Sequence, residues 1–360
     1  MRSMANHRYA VIMAGGRGTR FWPRSRKRTA KQVLRLFGDR SLIQQAVDRL
    51  AGVVPAQNIW IVTNEFLQAE IRKQLPEIPK RQVIAEPSQR NTAPCIALAA
   101  HILAELDSQA VMGVFPADHL ILNAKRFRTF VQAAFRAAQT SSVVVLGIQP
   151  RWAETGYGYI EFPKNTQPGR VEAVTVASFR EKPDQKTAEQ FVSEGNFFWN
   201  AGMFFWQASK VLELMRHHQP KTATLLAGLP PFGSKHFSRK LAETYPLCEN
   251  ISIDYAVLER AEQVAGLALD DIGWSDVGSW EAVYALAEKD SDGNASRTEL
   301  IAQNSRGNYV DATKPVALLG VDDLIVVDTP DALLVAQRAR AQDVSQIVKR
   351  LEAKSRDELL

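Results

Sequence analysis

The strongest chemical signal in this sequence is a glycine-rich turn directly after a short apolar run. Residues 9–14 are apolar and strand-forming, and the turn that follows has the sequence Gly-Gly-Arg-Gly-Thr-Arg. Glycines let backbone N–H groups come close to a polyphosphate, because no Cβ atom stands in the way. The two arginines of the turn, and Lys31 beyond it, supply cations that match phosphate oxygens. The turn therefore predicts a polyphosphate site. It is not a P-loop, because no Gly-Lys-Ser/Thr follows, and its glycine spacing is not that of the dinucleotide fingerprint.

Two aspartates could hold a divalent metal ion beside that phosphate. Asp118 follows the apolar residues 111–115, and Asp276 lies in a Gly-Trp-Ser-Asp-Val-Gly turn. Two carboxylates can bind one Mg²⁺ while phosphate oxygens and water complete its octahedral shell. Either aspartate alone is equally consistent with a helix cap or a turn residue.

The positive charge of the chain is concentrated at one end. Residues 1–38 contain ten Lys or Arg and no Asp or Glu, whereas the remaining chain has 34 basic and 39 acidic residues. A basic stretch can bind nucleic acid or a polyphosphate ligand. No RNA- or DNA-binding motif accompanies this stretch, and the glycine turn lies inside it. We therefore expect a phosphate ligand and no nucleic-acid partner.

The elements that must position these residues alternate between strands and helices. Apolar runs predict strands at residues 9–14, 59–63, 82–85, 111–115 and 143–147, and apolar residues recurring at three and four predict helices at 41–51, 65–75, 94–106 and 124–139. This alternation is typical of an α/β domain with a mostly parallel sheet. Such sheets bind ligands at the carboxyl ends of their strands. We therefore expect the chemistry just after the strands, where the motifs fall.

The second half of the chain has a less regular apolar pattern. Aromatic, glycine and proline residues interrupt the periodicity between residues 151 and 280, which predicts an insertion that extends the sheet and closes one side of the cleft. A polar, turn-rich linker is predicted at residues 289–297. Short strands follow at 309–311, 316–319, 324–327 and 333–336, and Val344, Ile347, Val348 and Leu351 form one face of a last amphipathic helix. We predict a catalytic domain at 1–288 and a small β domain, ending in a helix, at 298–360.

Composition excludes several classes of protein. No apolar run approaches the roughly 18 residues that a bilayer span requires, and the first apolar run lacks the context of a signal peptide. Cys95 and Cys248 have no CxxC spacing, so neither a disulfide framework nor a zinc site is indicated. We expect two reduced thiols and a cytoplasmic protein with no membrane partner.

Seven motifs resemble, in order and spacing, those of the sugar-nucleotide pyrophosphorylases, a family of nucleotidyltransferases. They lie at residues 14–23, 86–94, 115–119, 179–183, 200–203, 252–255 and 273–280. The Phe-Trp-Pro-Arg-Ser-Arg continuation of the first is similar to the mannose-1-phosphate guanylyltransferase branch. The resemblance covers roughly residues 8–340. It implies a Rossmann-like, mostly parallel but mixed sheet with a small C-terminal β-helix-like appendage, and it implies GTP and mannose 1-phosphate as substrates.

The resemblance also implies roles for individual residues. It gives nucleotide binding to Ala14, Gly15, Gly16, Gly18, Thr19, Arg20, Glu86, Arg90, Asn91 and Thr92, and sugar-phosphate binding to Gly156, Tyr157, Glu181, Lys182, Asn200 and Gly202. Arg20, Lys31 and Lys182 are the catalytic cations, and Asp118 and Asp276 bind Mg²⁺. A carboxylate such as Glu86 suits guanine, whose N1–H and N2–H₂ are two donors that adenine does not present together. A homodimer is expected, with the β appendage aiding dimerisation or only stabilising the fold.

Several alternatives remain open at this point. The same fold could use another sugar or base, such as glucose 1-phosphate with UTP, and pyrophosphorylase-like domains also serve as non-catalytic regulatory subunits. His119 could be a second metal ligand or a hydrogen-bonding neighbour, and Asp254 could contact ligand or cap a helix. At least one of Tyr157 and Tyr159 is expected in the core. The length of 360 residues favours a form without the additional isomerase domain that some family members carry.

Overall fold

A mixed sheet forms the centre of the molecule. The structure is a computed structural model that describes residues 7–360. The strands that precede the C-terminal region are β1 (Arg8–Ala14), β2 (Ile59–Asn64), β3 (Val83–Glu86), β4 (Val111–Pro116), β5 (Leu120–Ile121), β6 (Val143–Ile148), β7 (Tyr159–Glu161), β8 (Val174–Thr175), β9 (Ser178–Arg180), β10 (Phe197–Gln207), β11 (Val264–Leu269) and β12 (Trp274–Ser275). The main order is β3-β2-β1-β4-β10-β6-β11-β8; off this path, β7 pairs with β10 and β9 pairs with β7. Strands β3, β2, β1 and β4 are parallel, so their carboxyl ends share one edge.

Helices cover both faces of this sheet. They are α1 (Leu42–Asp48), α2 (Glu65–Gln74), α3 (Thr92–Leu106), α4 (Ala124–Ala137), α5 (Gln185–Glu194), α6 (Ala208–His218), α7 (Pro220–Ala227) and α8 (Phe237–Thr244). A further helix, α9 (Trp280–Leu286), packs against the C-terminal region. Side chains of Ser41, Asn64, Asn123 and Asp184 accept hydrogen bonds from the first turns of α1, α2, α4 and α5, which satisfies backbone N–H groups that have no partner within the helix. These caps fix where each helix starts relative to the strand before it.

Alternation along the strands divides the buried side chains into two cores. In β1, Ala10 and Ile12 belong to the core that α1, α2 and α4 cover, whereas Val11 belongs to the core under α3 and α6. Both faces of each central strand are buried, which is why these strands are continuous apolar runs. The fold class is therefore the α/β class that the sequence predicts.

Strand β10 runs antiparallel to its neighbours β4 and β6, and it is irregular where it passes the carboxyl edge. Its register against β6 shifts between Asn200 and Phe204. A bulge of this kind re-aims side chains, and here it lies within the predicted Asn-Ala-Gly-Met motif.

The C-terminal region consists of short, mostly parallel strands, one antiparallel pair (β17 with β18) and a final helix. It contains β13 (Ala295–Ser296), β14 (Leu300–Gln303), β15 (Tyr309–Asp311), β16 (Val316–Leu319), β17 (Leu324–Thr329), β18 (Ala332–Gln337) and α10 (Val344–Ala353). Parallel pairing of β13 with β15, β15 with β17, and β14 with β16 gives the β-helix-like appendage that was expected. A third core, which includes Phe21, Trp280 and Val344, joins this region to the turn after the glycine motif.

Two details differ from the sequence prediction. The predicted linker at 289–297 contains strand β13, because Ala295 and Ser296 pair with β15. The insertion predicted at residues 151–280 extends the sheet as expected, through β7 to β11, but it also contains helices α5 to α8, which were not predicted. Among residues 7–360, no helix has the length and apolar character that crossing a bilayer requires.

Candidate active site

A cavity of about 710 Å³ opens where β1, β3 and β4 end. This is the edge at which parallel sheets bind ligands. The predicted site residues that line it are Ala14, Gly15, Gly16, Glu86, Arg90, Asn91, Thr92, Asp118, Gly156, Tyr157, Glu181, Asn200, Gly202 and Asp276. The predicted residues that do not line it are Gly18, Thr19, Arg20, Lys31 and Lys182. The fold thus brings most of the motifs to one cavity, although they are far apart in the chain.

The glycine turn is held in shape by a buried glutamine. The Gln32 side-chain amide donates to the carbonyl oxygens of Ala14, at 2.7 Å, and Gly16, at 3.0 Å. Gly18 has φ +62°, and a Cβ there would lie 2.6 Å from Cβ of Lys31, so the position requires glycine. A Cβ at Gly16 would meet no atom within 4 Å. The turn is therefore packed on one side and open on the other, as a phosphate-binding turn needs to be.

Glu86, at the end of β3, lies against this turn. Its side chain is buried, with 8% of its surface exposed, and the hydroxyl of Tyr245 donates a hydrogen bond to it. Burial raises the pKa of Glu86 to about 7, against the opposing effect of the Tyr245 hydrogen bond. A Cβ on Gly15 would lie 3.1 Å from Glu86 Oε2. The carboxylate is thus an acceptor directly beside the glycine turn.

The segment from residue 89 to 92 joins the turn to helix α3. The Gln89 amide donates to the Gly15 carbonyl at 3.0 Å. Asn91 has φ +64°, and its side chain accepts a hydrogen bond from the Thr92 N–H at 2.9 Å. The Thr92 hydroxyl accepts in turn from the Ile253 N–H at 2.8 Å. This segment therefore connects the turn, the start of α3 and the segment around residue 253.

Arg90 has a buried donor in this segment. Its Nε atom is buried and has no hydrogen-bond partner among the described residues. An unpaired buried donor costs roughly 1–3 kcal/mol. An anionic or carbonyl-bearing ligand would remove that cost, so this part of the cavity favours such a ligand.

Lys31 joins the two predicted metal ligands. Its ammonium donates to Asp118 Oδ2, at 2.9 Å, and to the backbone carbonyl of Asp276, at 2.5 Å. Burial opposes the ionisation of Asp118, but the charge and hydrogen bond of Lys31 hold the pKa of Asp118 below its ordinary value. The Tyr157 hydroxyl donates to Asp276 Oδ1 at 2.7 Å. The two aspartates thus lie on either side of a single ammonium group.

The chemistry of this donor set suits a hard divalent cation. Carboxylate and carbonyl oxygens are the ligands that Mg²⁺ and Ca²⁺ prefer. Among residues 7–360, no group of three or more His, Cys, Asp or Glu side chains is arranged to hold a metal ion. A metal ion at Asp118 and Asp276 would therefore take its other ligands from phosphate and water.

His119 is a partly buried, neutral neighbour of this acidic pair. Burial lowers the pKa of His119 to about 4, so the imidazole is uncharged at neutral pH. Its Nδ1 accepts a hydrogen bond from Trp274 Nε1 at 3.2 Å, and the two rings are perpendicular. In this structure His119 is a hydrogen-bonding neighbour.

The two tyrosines beyond residue 156 have different positions. Tyr159 is fully buried, and its hydroxyl donates to the Glu154 carbonyl and accepts from Trp199 Nε1. Tyr157 lines the cavity and packs edge-on against Trp199 and Trp274, with ring centroids 5.3 and 5.5 Å away. Tyr159 belongs to the core and Tyr157 faces ligand space.

The bulge of β10 brings Asn200 to Asp254. The Asn200 Oδ1 accepts from the Gly202 N–H at 3.0 Å, and its Nδ2 donates to Asp254 Oδ1 at 2.9 Å. Gly202 has φ +65°, in the region that favours glycine. Burial, followed by the negative charge of Glu181, raises the pKa of Asp254 to about 7. The cavity therefore contains a group of polar side chains that are rich in hydrogen-bond acceptors.

Glu181 and Lys182 form an ion pair beside this group. The Lys182 ammonium donates to Glu181 Oε1, and Lys182 has φ +45°. Burial lowers the pKa of Lys182, but the hydrogen bond and charge of Glu181 raise it overall. Glu181 is buried, whereas about half of the Lys182 side chain is exposed. To hold a phosphate, Lys182 has to exchange Glu181 for the ligand.

The two arginines of the glycine turn contact the C-terminal region instead of the cavity. Arg17 Nη2 donates to Glu352 Oε1 at 2.6 Å, and Arg20 Nη1 donates to Gln342 Oε1 at 2.8 Å. Both arginines are exposed. A phosphate role for Arg20 therefore requires its side chain to leave Gln342.

Sequence reasoning missed two residues that position the site. Gln32 follows Lys31 in a stretch that mixes charged and apolar residues, so no local signal marks it as a buried amide. Tyr245 meets Glu86 across 159 residues, and no local pattern marks it. The sequence left Asp254 open, and the structure places it in the cavity.

Comparison with known proteins gives the class of this chain. Residues 9–293 match the model of the nucleotidyl transferase family. Residues 299–351 match the MannoseP isomerase/GMP-like beta-helix domain. The first match extends over more than half of the chain, so this protein belongs to the nucleotidyl transferase family, and the resemblance seen in the sequence is confirmed.

Within this family, the chain is similar to several individual proteins. The chain is 38% identical to the mannose-1-phosphate guanylyltransferase ManC of Salmonella typhimurium, over 97% of this chain and 74% of that protein. It is 37% identical to the alginate biosynthesis protein AlgA of Pseudomonas aeruginosa, over 97% and 73% of the two chains. A crystal structure from Thermus thermophilus, described as a mannose-1-phosphate geranyltransferase, matches with a TM-score of 0.85 and 32% identity over 96% of this chain and 99% of that one.

Proposed function

We propose that this chain is a mannose-1-phosphate guanylyltransferase, which forms GDP-mannose and pyrophosphate from GTP and mannose 1-phosphate. One observation carries the proposal: a single cavity is bordered by a glycine turn, a buried carboxylate, an acidic pair and a group of polar side chains suited to a sugar. The relative named mannose-1-phosphate guanylyltransferase, similar over nearly the whole chain, supports the same activity.

The base would bind at Glu86. When ionised, this carboxylate can accept two hydrogen bonds from guanine N1–H and N2–H₂. Its burial beside Gly15 means that water competes little for those bonds. Uracil and adenine lack this pair of donors, so the same geometry would discriminate against UTP and ATP.

The reaction needs charge neutralisation and alignment more than proton transfer. An oxygen of mannose 1-phosphate attacks the α-phosphorus of GTP in line, the bond to the bridging oxygen breaks, and pyrophosphate leaves. The attacking oxygen is already ionised, so no general base is required. In this proposal Arg20 and Lys31 hold the β- and γ-phosphates, and Lys182 holds the phosphate of the sugar. Lys31 is already placed at the acidic pair, and its side chain is only 7% exposed.

Mg²⁺ is the metal that we propose for Asp118 and Asp276. When bound, it would neutralise phosphate charge and the charge that develops on the leaving pyrophosphate. The chain's own contribution is to prepare the two carboxylates: Lys31 favours the ionised form of Asp118, and the Tyr157 hydroxyl orients Asp276.

The proposed enzyme acts in the cytoplasm as a homodimer without a nucleic-acid partner. Strand β18, at the edge of its sheet, exposes Leu333 and Val335 by 58% and 57%. Exposed apolar side chains at a sheet edge favour contact with a second copy.

In the basic N-terminal stretch, Arg24 and Arg26 pair with Asp311 and Asp331 of the C-terminal region. The charges of these two arginines are therefore paired with carboxylates of the same chain.

The test is pyrophosphate release with Mg²⁺ across a matrix of substrates. GTP, ATP, UTP and dTTP are each combined with the 1-phosphates of mannose, glucose and N-acetylglucosamine. The proposal predicts one dominant signal, for GTP with mannose 1-phosphate. A maximum elsewhere in the matrix would overturn the assigned base or sugar, and silence throughout with folded protein would favour a non-catalytic relative.

A further inference from the structure

Arg49 is a buried cation that the proposed reaction does not use. It follows helix α1 directly, and the residue is 7% exposed. Among residues 7–360, no carboxylate lies within ion-pair distance of it, and the neighbouring Asp48 is paired with Arg40 instead. Burial lowers the pKa of Arg49 to about 10, so the guanidinium is still charged at neutral pH. A buried charge without a close counter-ion is costly, so stability alone does not account for an arginine at this position.

The guanidinium of Arg49 contacts the turn that carries Asp118. Its Nη2 atom donates to the backbone carbonyl of His119 at 2.9 Å, across 70 positions of the chain. On the other side of Asp118, the Ala117 N–H donates to the Met13 carbonyl of β1 at 3.0 Å. The backbone is therefore fixed immediately before and immediately after Asp118, and Arg49 supplies the second of these two contacts.

The same turn determines the distance between the two predicted metal ligands. Strand β5 begins directly after His119, and its Leu120 pairs with Ser275 of β12, the residue before Asp276. A shift of the His119 backbone would therefore move Asp118 relative to Asp276. Mg²⁺ demands a nearly ideal octahedral arrangement of its ligands, so such a shift would weaken its binding.

Arg49 is itself held by a second arginine. Arg128 of α4 donates to the carbonyl oxygens of Asp48, at 3.3 Å, and Arg49, at 3.1 Å. These hydrogen bonds satisfy carbonyl groups at the end of α1 that have no partner within the helix. The guanidinium of Arg49 thus extends from a backbone position that α1 and α4 fix together.

We propose that Arg49 is a positioning residue, which holds Asp118 through the His119 carbonyl at the place where Asp118 and Asp276 bind one Mg²⁺. This inference rests on the proposed function and deepens its metal site. The charge of Arg49 alone would have the opposite effect, because a nearby cation repels Mg²⁺. Loss of a group that orients a metal ligand typically costs about ten- to a hundredfold in metal affinity or activity.

The experiment measures metal-dependent binding without turnover. The probe is a GTP analogue in which a methylene group replaces the α,β-bridging oxygen, and its affinity is measured by calorimetry with and without Mg²⁺. In Arg49→Met, we expect the gain in affinity that Mg²⁺ gives to be about ten- to a hundredfold smaller than in wild type. With GTP, kcat should fall by a similar factor while KM for mannose 1-phosphate stays unchanged. Arg49→Lys, which keeps a charged donor, should recover part of both losses.

Arg72→Met is the matched control, because Arg72 likewise donates to backbone carbonyls, those of Lys80 and Val83, and does not line the cavity. The control should keep the wild-type gain with Mg²⁺. An unchanged or larger gain in Arg49→Met, or an equal loss in Arg72→Met, would overturn the inference. If Arg49→Met does not fold, Arg49→Gln enters the same comparison with the same outcomes. A wild type that binds the analogue equally well with and without Mg²⁺ would refute the proposed metal site itself and the inference with it, so the two failures are distinguishable.

Discussion

Replacing Gln32 by leucine tests whether the fold shapes the glycine turn before ligand binds. The Gln32 side chain is 2% exposed and donates to the carbonyl oxygens of Ala14 and Gly16. Leucine has a similar volume but no donor, so the substitution removes both hydrogen bonds and leaves little empty space. We expect a less stable protein whose glycine turn is no longer held in its binding shape.

The loss in the free energy of unfolding depends on the hydrogen bonds that the Ala14 and Gly16 carbonyl groups keep after the substitution. The Ala14 carbonyl keeps a hydrogen bond from the Thr63 hydroxyl at 2.9 Å, and the carbonyl of the exposed Gly16 can turn to water. Each lost bond therefore costs about its net value of 0.5–1.5 kcal/mol, not the larger cost of an unsatisfied buried group. The free energy of unfolding should fall by about 1–3 kcal/mol. A binding loss of about 1.4 kcal/mol corresponds to a tenfold rise in KM for GTP.

Urea denaturation and steady-state kinetics measure the two effects separately. Gln68→Leu is the matched control, because Gln68 donates one hydrogen bond to the Val83 carbonyl and does not line the cavity. The control should lose stability and keep its KM for GTP. If Gln32→Leu also loses stability while its KM for GTP stays at the wild-type value, the reasoning about the turn is refuted.

Four further predictions concern Asp118, Glu86 and Lys182. Asp118→Asn should lower kcat at least about a hundredfold and abolish its response to Mg²⁺ in a titration of initial rates; near-normal activity would remove Asp118 from the metal role. KM for GTP should rise as pH falls below about 7, where Glu86 becomes protonated, and Glu86→Gln should have a flat profile; a pH-dependent KM in that variant would contradict the assignment. Because the pKa of Glu86 is raised in the folded state, wild type loses stability as pH rises from about 4.5 to 7, so thermal unfolding should show Glu86→Gln gaining on wild type across that range, with no further change above about pH 7. Lys182→Ala should raise KM for mannose 1-phosphate about tenfold or more by losing a charge-assisted contact while KM for GTP hardly changes; equal rises would argue against the sugar-phosphate position.

The parallel part of the fold could be predicted closely from the sequence. Strands β1, β2, β4 and β6 lie within one residue of the predicted bounds, because strands buried on both faces are continuous apolar runs bounded by turn residues. The C-terminal strands β15 and β16 coincide with their predicted residues for a related reason, since short apolar pieces alternate with turns there.

The insertion could not be predicted in the same way. Strand β10 runs antiparallel between β4 and β6, and this pairing is decided by residues more than 50 positions apart in the chain. Helices α5 to α8 are short, and glycine, proline and aromatic residues between them hide the apolar periodicity. Their position depends on tertiary packing, which overrides local preference.

Site residues could likewise be predicted where they are contiguous in the sequence and not where they depend on contacts between distant residues. Motifs that are contiguous in sequence, such as the glycine turn and residues 89–92, could be found because their chemistry is local. Contacts between distant residues could not: Tyr245 meets Glu86, Asn200 meets Asp254, and Arg20 meets Gln342, which is 322 positions away. These contacts set side-chain orientation, and burial by residues distant in the chain raises the pKa of Glu86 and of Asp254. The sequence therefore indicates which groups are present but not their orientation or protonation.

The central claim, transfer of a guanylyl group to mannose 1-phosphate, is tested most directly by following labelled phosphate. The protein is incubated with Mg²⁺, mannose 1-phosphate and GTP labelled with ³²P at either the α- or the γ-phosphate, and the products are separated. The proposal predicts that α-label appears in GDP-mannose and γ-label in pyrophosphate, both only when mannose 1-phosphate is present. Transfer of γ-label to the sugar, or α-label that stays in GTP with folded protein, would contradict it.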